Sequence, residues 1–156
     1  MRRLSALAER FADRVVGDTE GIQVTGITLA TADLRAGEVF VAIAGANRHG
    51  AEFARTAEDA GAVAVLTDAA GAALAAASDV RVPVLVVGDP RALLGAVSGW
   101  VYGTGRNDTD TDTDTEHDLG PMPLLLATTG TNGKTSVSHL LEGILQQVGA
   151  VTGLSS

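Results

Sequence analysis

Hydrophobic positions along the chain change period several times, and each change marks an element. Leu4, Leu7, Ala8, Phe11 and Val15 recur at helical spacing, which predicts an amphipathic helix over residues 4–16, stopped by Gly17. Two short strand-like runs, 22–24 and 27–29, follow. Residues 38–43, a glutamate followed by five apolar residues and closed by Ala44-Gly45, read as a buried strand. A helix over 51–60 stopping at Gly61, a strand over 63–66, an Ala-rich helix over 69–77 and a strand over 84–87 follow. Asp89-Pro90 then starts a helix in the favoured way, with aspartate as N-cap and proline in the first turn. Leu93, Val97, Trp100 and Val101 form its apolar stripe, and a tryptophan on such a stripe is expected to pack rather than recognise a ligand. Strand-helix alternation from 38 to 102 predicts an α/β domain with a largely parallel sheet.

The pattern fails over residues 103–122. Asp-Thr repeats from Asp108 to Thr115, and Gly-Pro follows at 120–121. Low hydrophobicity and self-repelling charge predict a disordered acidic linker. Asp110, Asp112 and Asp114 have the first spacing of a calcium loop. Thr115 and Pro121 stand where its glycine and glutamate belong, so a calcium site is not expected.

Beyond the linker, Leu124-Leu125-Leu126-Ala127 has strand length and ends at Thr128-Thr129-Gly130-Thr131-Asn132-Gly133-Lys134-Thr135-Ser136. Val137, Leu140, Leu141, Ile144, Leu145 and Val148 then mark one helical face. Strand, glycine loop, Lys-Thr and helix is the context of a phosphate-binding loop. Glycines let backbone amides close around an anion, and the helix N-terminus adds partial positive charge. Lys134 is placed to reach the β- and γ-phosphates of ATP, and the Thr135 hydroxyl to ligate Mg²⁺. Gly130, Thr131, Asn132, Gly133, Lys134, Thr135 and Ser136 are the candidate ATP-binding residues. Thr128 occupies the place of the first glycine in G-x-x-x-x-G-K-[ST]. Lys134 is the only lysine; the other ten basic residues are arginine. An ordinary glycine turn capping a helix is the plainer alternative.

Composition narrows the class. With 46% hydrophobic and 3% aromatic residues, the core must be built from small aliphatic side chains. The formal charge is −8, of which Arg106 to Asp118 contributes −5, so no basic patch or stacking platform for nucleic acid is present. Without cysteine there are no disulfides or thiolate metal sites. No segment approaches the ~20 apolar residues of a membrane span, and the start lacks the apolar run of a signal peptide; a cytoplasmic protein is expected. No protein partner is indicated.

Thr129-Gly130-Thr131-Asn132-Gly133-Lys134-Thr135 resembles the T-G-T-N-G-K-T of the Mur ligases, ATP-dependent ligases that build the peptidoglycan stem peptide. That family also lacks the first glycine of the general motif, and Thr135 separates this loop from the G-T-N-G-K-G of folate-adding relatives. Gly37-Glu38-Val39-Phe40-Val41-Ala42-Ile43-Ala44-Gly45 is similar to the family's G-D-L-F-V-A-L-x-G, and His49-Gly50-Ala51-Glu52-Phe53 and residues 60–66 follow in order. The resemblance implies an N-terminal UDP-substrate-binding α/β domain over 1–102, the acidic linker over 103–122, and the truncated start of the central ATP-binding domain over 123–156. Within the family the chain most resembles the branch adding meso-diaminopimelate or lysine as third residue to UDP-N-acetylmuramoyl-dipeptide, ahead of the D-Ala-D-Ala-adding branch.

Carried over residue by residue, the uridine nucleotide falls to Leu29, Thr31 and Ala46-Asn47-Arg48. The family's D-S-R reads Ala30-Thr31-Ala32 here. A hydroxyl persists while carboxylate and guanidinium are gone, so UDP binding is expected to be weakened. His49 is a possible ligand-facing group, although a lone loop histidine is more often solvated.

The family's reaction makes an acyl phosphate from a substrate carboxylate and ATP, which an amine then attacks. It needs further Mg²⁺ ligands, a lysine and a C-terminal domain, yet only 21 residues follow Thr135. No complete catalytic set is therefore expected, and the chain reads as a truncated product or fragment, inactive alone. Two other readings stand beside it: a small P-loop NTPase or kinase, and a non-catalytic nucleotide- or partner-binding module.

Overall fold

The computed structural model describes residues 1–104 and 126–154. The chain divides into two compact units, Met1–Leu119 and Gly120–Ser156. Most of the acidic linker, and Leu124 and Leu125 of the predicted strand, lie outside the described residues.

The first unit is an α/β domain around a five-stranded sheet of order β2-β7-β6-β5-β4. Strands β4 (Gly26–Thr28), β5 (Glu38–Ala42), β6 (Ala64–Thr67) and β7 (Val84–Val86) are parallel, while β2 (Arg14–Val16) joins the β7 edge antiparallel. A second, two-stranded antiparallel sheet pairs β1 (Arg2–Arg3) with β3 (Gln23–Val24). Side chains alternate across the main sheet, as strand geometry requires. Val39, Val41, Leu66 and Leu85 pack with Leu4 and Leu7 of α1 (Leu4–Phe11) and Val97 and Trp100 of α4 (Pro90–Tyr102). Phe40, Ala42, Val65, Val84 and Val86 face the other way, against Ala54 and Ala57 of α2 (Ala54–Asp59) and Ala72 and Ala75 of α3 (Ala69–Ala77). Small alanines on α2 and α3 let these helices lie close to the sheet, which is how a core with few aromatics fills its volume. Trp100 packs as expected: it is buried, meets Phe11 edge-on at 6.2 Å, and carries the Arg2 guanidinium 4.8 Å above its ring.

The first helix is shorter than its periodicity predicts. It ends at Phe11, Ala12 turns to extended backbone, and residues 14–16 form β2, with Val15 opposite Leu85. Consecutive β-branched Val15 and Val16 suit a strand, and the Asp13 amide already donates to the Val86 carbonyl at 2.8 Å. Pairing thus covers the β7 edge that a longer helix would have left open. The predicted helix over 51–60 is divided into a 3₁₀ turn, Gly50–Phe53, and α2.

Asp89 caps α4 as predicted, accepting from the amides of Arg91 at 2.9 Å and Ala92 at 3.1 Å. At the far end of the same helix, Tyr102 reaches the outer strand of the sheet. Its hydroxyl accepts from the Ile27 amide at 3.2 Å and donates to the Ile27 carbonyl at 3.4 Å.

In the second unit, α5 spans Lys134–Gln147. The expected strand before the loop is not formed at Leu126 and Ala127, nor is a strand formed at residues 151–154. A strand exists only when a neighbour accepts its hydrogen bonds, and neither segment has one here. No residue of α5 is buried; Leu140 is 69% and Ile144 55% exposed. Among the described residues, no helix is long and apolar enough to cross a membrane.

Candidate functional site

Four parallel strands place four connecting loops along one edge of the sheet, and in open α/β sheets ligands bind outside this carboxyl edge. In spatial order the loops carry Leu29 to Thr31 after β4, Ala44 to His49 after β5, Asp68 after β6, and Gly88 to Arg91 after β7. The fold thus brings the residues predicted for the uridine nucleotide onto adjacent loops of one edge. Leu29 is exposed, Thr31 opens a 3₁₀ turn (Thr31–Asp33), and Ala46, Asn47 and Arg48 are all exposed.

The β5 loop is closed on itself. The Gly45 amide donates to the Arg48 carbonyl at 3.0 Å, Gly50 to Ile43 at 2.8 Å, and Ala44 pairs with His49 as an isolated antiparallel bridge. Close approach favours glycine at both positions: a Cβ at Gly45 would lie 2.8 Å from the Arg48 carbonyl oxygen, forcing a shift, and one at Gly50 would press on Ile43 backbone at 3.0 Å. Arg48 folds back on its own helical turn: Nη2 lies 2.7 Å from Glu52, and the guanidinium sits 4.9 Å over the Phe53 ring. That guanidinium beside it holds the Glu52 carboxyl below its ordinary pKa.

His49 is not the solvated loop residue expected of a lone histidine. Its side chain is 12% exposed, and both ring nitrogens are engaged. Nδ1 accepts from the Ala51 amide at 3.0 Å, so Nε2 carries the proton it donates to Asp68 at 3.2 Å. Asp68 in turn caps α3, its Oδ1 accepting from the Gly71 amide at 2.7 Å. This amide bond first, and the His49 bond after it, hold the Asp68 carboxyl below its ordinary pKa against the opposing effect of burial. Behind the pair, buried Thr67 donates to the Ala42 carbonyl at 2.8 Å. Asp68 and Arg91 were not singled out from sequence. For Asp68 a signal existed, since an aspartate immediately before an alanine run is an N-cap pattern. Arg91 gave none: its Nη2 donates to the Ala44 carbonyl at 3.3 Å across a separation of 47 residues.

A surface recess of about 500 Å³, lined by Asp18, Ile22, Val63, Arg81 and Pro83 among others, lies at the opposite, amino edge of the sheet. It contains none of the predicted residues.

In the second unit the candidate loop has the backbone that its glycines allow. Gly130 has φ of 148° and Gly133, the N-cap of α5, has φ of 79°. No side chain caps the helix, which leaves the first-turn amides of Lys134, Thr135 and Ser136 without a capping acceptor, the arrangement that suits an anion. The Lys134 ammonium donates to the Gly130 carbonyl, which draws the side chain across the loop it would share with phosphates. Thr128, where the general motif has glycine, bonds Ser138 Oγ at 2.8 Å and braces the loop against the helix. Thr131, Asn132 and Thr135 are exposed. This geometry fits a polyphosphate and leaves the Thr135 hydroxyl accessible to a cation.

Residues 23–99 match the profile of the Mur ligase family, catalytic domain. The chain carries a Mur ligase family domain. Among similar proteins, a UDP-N-acetylmuramyl-tripeptide synthetase of Leifsonia xyli subsp. xyli is 45% identical over 155 residues, covering 99% of this chain and 27% of that protein. A UDP-N-acetylmuramoyl-L-alanyl-D-glutamate–2,6-diaminopimelate ligase of Streptomyces avermitilis is 42% identical over 132 residues, 85% of this chain and 23% of that protein. A crystal structure of MurF ligase from Thermotoga maritima in complex with ADP superposes with a TM-score of 0.48 at 20% identity, over 82% of this chain and 25% of that one. The chain thus spans about a quarter of the length of the curated relatives it matches. The Mur ligase match takes in the whole carboxyl edge from Leu29 to Arg91, the His49–Asp68 pair included.

Proposed function

We propose that this chain serves peptidoglycan precursor synthesis, in the ATP-dependent ligation that adds the third amino acid to UDP-N-acetylmuramoyl-L-alanyl-D-glutamate. In this reading residues 1–102 hold the uridine nucleotide of the substrate through Leu29, Thr31 and Ala46-Asn47-Arg48. Residues 103–122 connect them to 123–156, the start of the ATP domain, where Gly130 to Ser136 receive the phosphates and Thr135 takes the Mg²⁺. The observation that carries the reading is the 45% identity to a tripeptide synthetase through 155 residues, which embraces both the edge loops and the phosphate loop. ATP, when bound, supplies the phosphoryl group that activates the substrate carboxylate. The chain's own part is to orient the nucleotide ends of two substrates. The D-Ala-D-Ala-adding alternative is less favoured, since the similar proteins compared by sequence add the third residue.

The test is amide chemical-shift mapping with UDP-N-acetylmuramoyl-dipeptide. Shifts are expected at 29–31 and 44–49, with saturation at high micromolar to millimolar concentration because Ala30 and Ala32 carry no charge. Shifts confined to the amino edge, or none at saturating ligand, would overturn the assignment.

A further inference from the structure

The geometry points to Arg91 as the residue that receives the diphosphate of the uridine nucleotide, an inference that rests on the reading above. A nucleoside diphosphate brings at least two negative charges to the carboxyl edge and needs a cation there. Residues 30–32 supply none. Two arginines border the β5 loop. Arg48 is committed to its own turn, paired with Glu52 at 2.7 Å and lying over Phe53. Arg91 is exposed and uses one terminal nitrogen, on Ala44, leaving the rest of a planar five-donor fork open towards the edge.

Its place in the order of loops suits the ligand. Leu29 and Thr31 follow β4, Ala46 to Arg48 follow β5, and Arg91 follows β7, three strand spacings from β4, or roughly 14 Å. In the proposed pose a uridine over the β4 and β5 loops, with its diphosphate directed along the edge towards β7, meets Arg91. Two acids of the neighbouring loops are already engaged: Asp68 by His49 and the Gly71 amide, Asp89 by the amides of Arg91 and Ala92. The contact to Ala44 gives Arg91 a second part, as it holds the guanidinium in place and ties it to the nucleotide loop. Charge-assisted bidentate bonds of this kind to phosphate are among the strongest polar contacts a protein makes.

Calorimetric or NMR titration of the full chain with UDP and with uridine separates the roles. Arg91→Ala is expected to weaken UDP at least tenfold while uridine changes by less than about threefold. Arg91→Lys, which keeps the charge without the fork, should fall between wild type and Arg91→Ala. Equal losses for UDP and uridine would mean that Arg91 acts only through the Ala44 loop, and the inference fails. Unchanged UDP affinity in Arg91→Ala overturns it as well, while leaving the substrate reading standing. Wild type that binds neither compound overturns both. Thermal melts of each variant identify any loss that comes from unfolding.

Discussion

His49 Nε2 donates to the Asp68 carboxylate at 3.2 Å, joining the loop after β5 to the cap of the helix after β6. Asp68 is thereby bonded on both sides, to an imidazole and to the Gly71 amide, and its carboxyl is held below the ordinary range. A group whose folded pKa is depressed contributes stability above its unfolded value and loses it as pH falls through the folded one. Asp68→Asn keeps an N-cap oxygen but loses the charge on both bonds, and should therefore cost about 1 kcal/mol at neutral pH. The gap between variant and wild type should close as pH drops through the acidic carboxylate range. Urea denaturation at a series of pH values measures it, and a gap that stays constant into acid would contradict the assignment.

Gly71 sits where no side chain fits. A Cβ there would lie 1.9 Å from Thr67 Oγ1 and 2.6 Å from His49 Cε1, both held by their own hydrogen bonds. Gly71→Ala is expected to destabilise the first unit by about 1–3 kcal/mol, the usual range for overpacking. Gly95, in α4, has nothing within 4 Å of such a Cβ, so Gly95→Ala should stabilise by about 0.5–1 kcal/mol through helix propensity. Opposite signs for two identical substitutions are the outcome to look for in denaturant midpoints.

Tyr102 satisfies backbone groups of Ile27 on the outermost strand. Tyr102→Phe removes those bonds while keeping the ring, at a cost of about 1 kcal/mol. Hydrogen exchange at the Ile27 amide should accelerate several-fold more than exchange at Val39 on the neighbouring strand. Uniform acceleration across the sheet would show a global effect instead.

For the phosphate loop, weak binding is expected. No residue of α5 is buried, and neither flanking segment forms a strand among the described residues, so little holds the loop's shape in solution. Calorimetric titration of ATP·Mg²⁺ into the 156-residue chain should show millimolar affinity or none. Micromolar binding that disappears in Lys134→Ala would demonstrate a working site.

Much of the architecture was legible because parallel strands leave a plain signature. Residues 39–43, 63–66 and 84–87 are apolar without interruption since both faces are covered, and strands appear there within a residue or two. The alanine helix and the Asp89 cap were equally local. Strand β2 was hidden because Val15 completes a helical spacing by coincidence; only the presence of β7 decides between the two states. Contiguity also separates the candidate residues that sequence exposes from those it hides. Gly130 to Thr135 form one unbroken motif, whereas the His49–Asp68 and Arg91–Ala44 contacts join segments 19 and 47 residues apart. A lone histidine looks solvated until its partner is folded against it.

The closed loop after β5 has a thermodynamic consequence. Residues 43–50 are fixed by their own backbone bonds, by His49 on Asp68, and by Arg91 on Ala44, so their conformational freedom is lost during folding. A ligand meeting this loop finds it already ordered, and association need not wait for a closing motion. If the loop receives a nucleotide as proposed, the entropy that a flexible site surrenders on binding is here a term in the stability of the domain itself. Mutations that loosen the fastening will register first as weaker binding with a larger unfavourable entropy, well before the fold gives way.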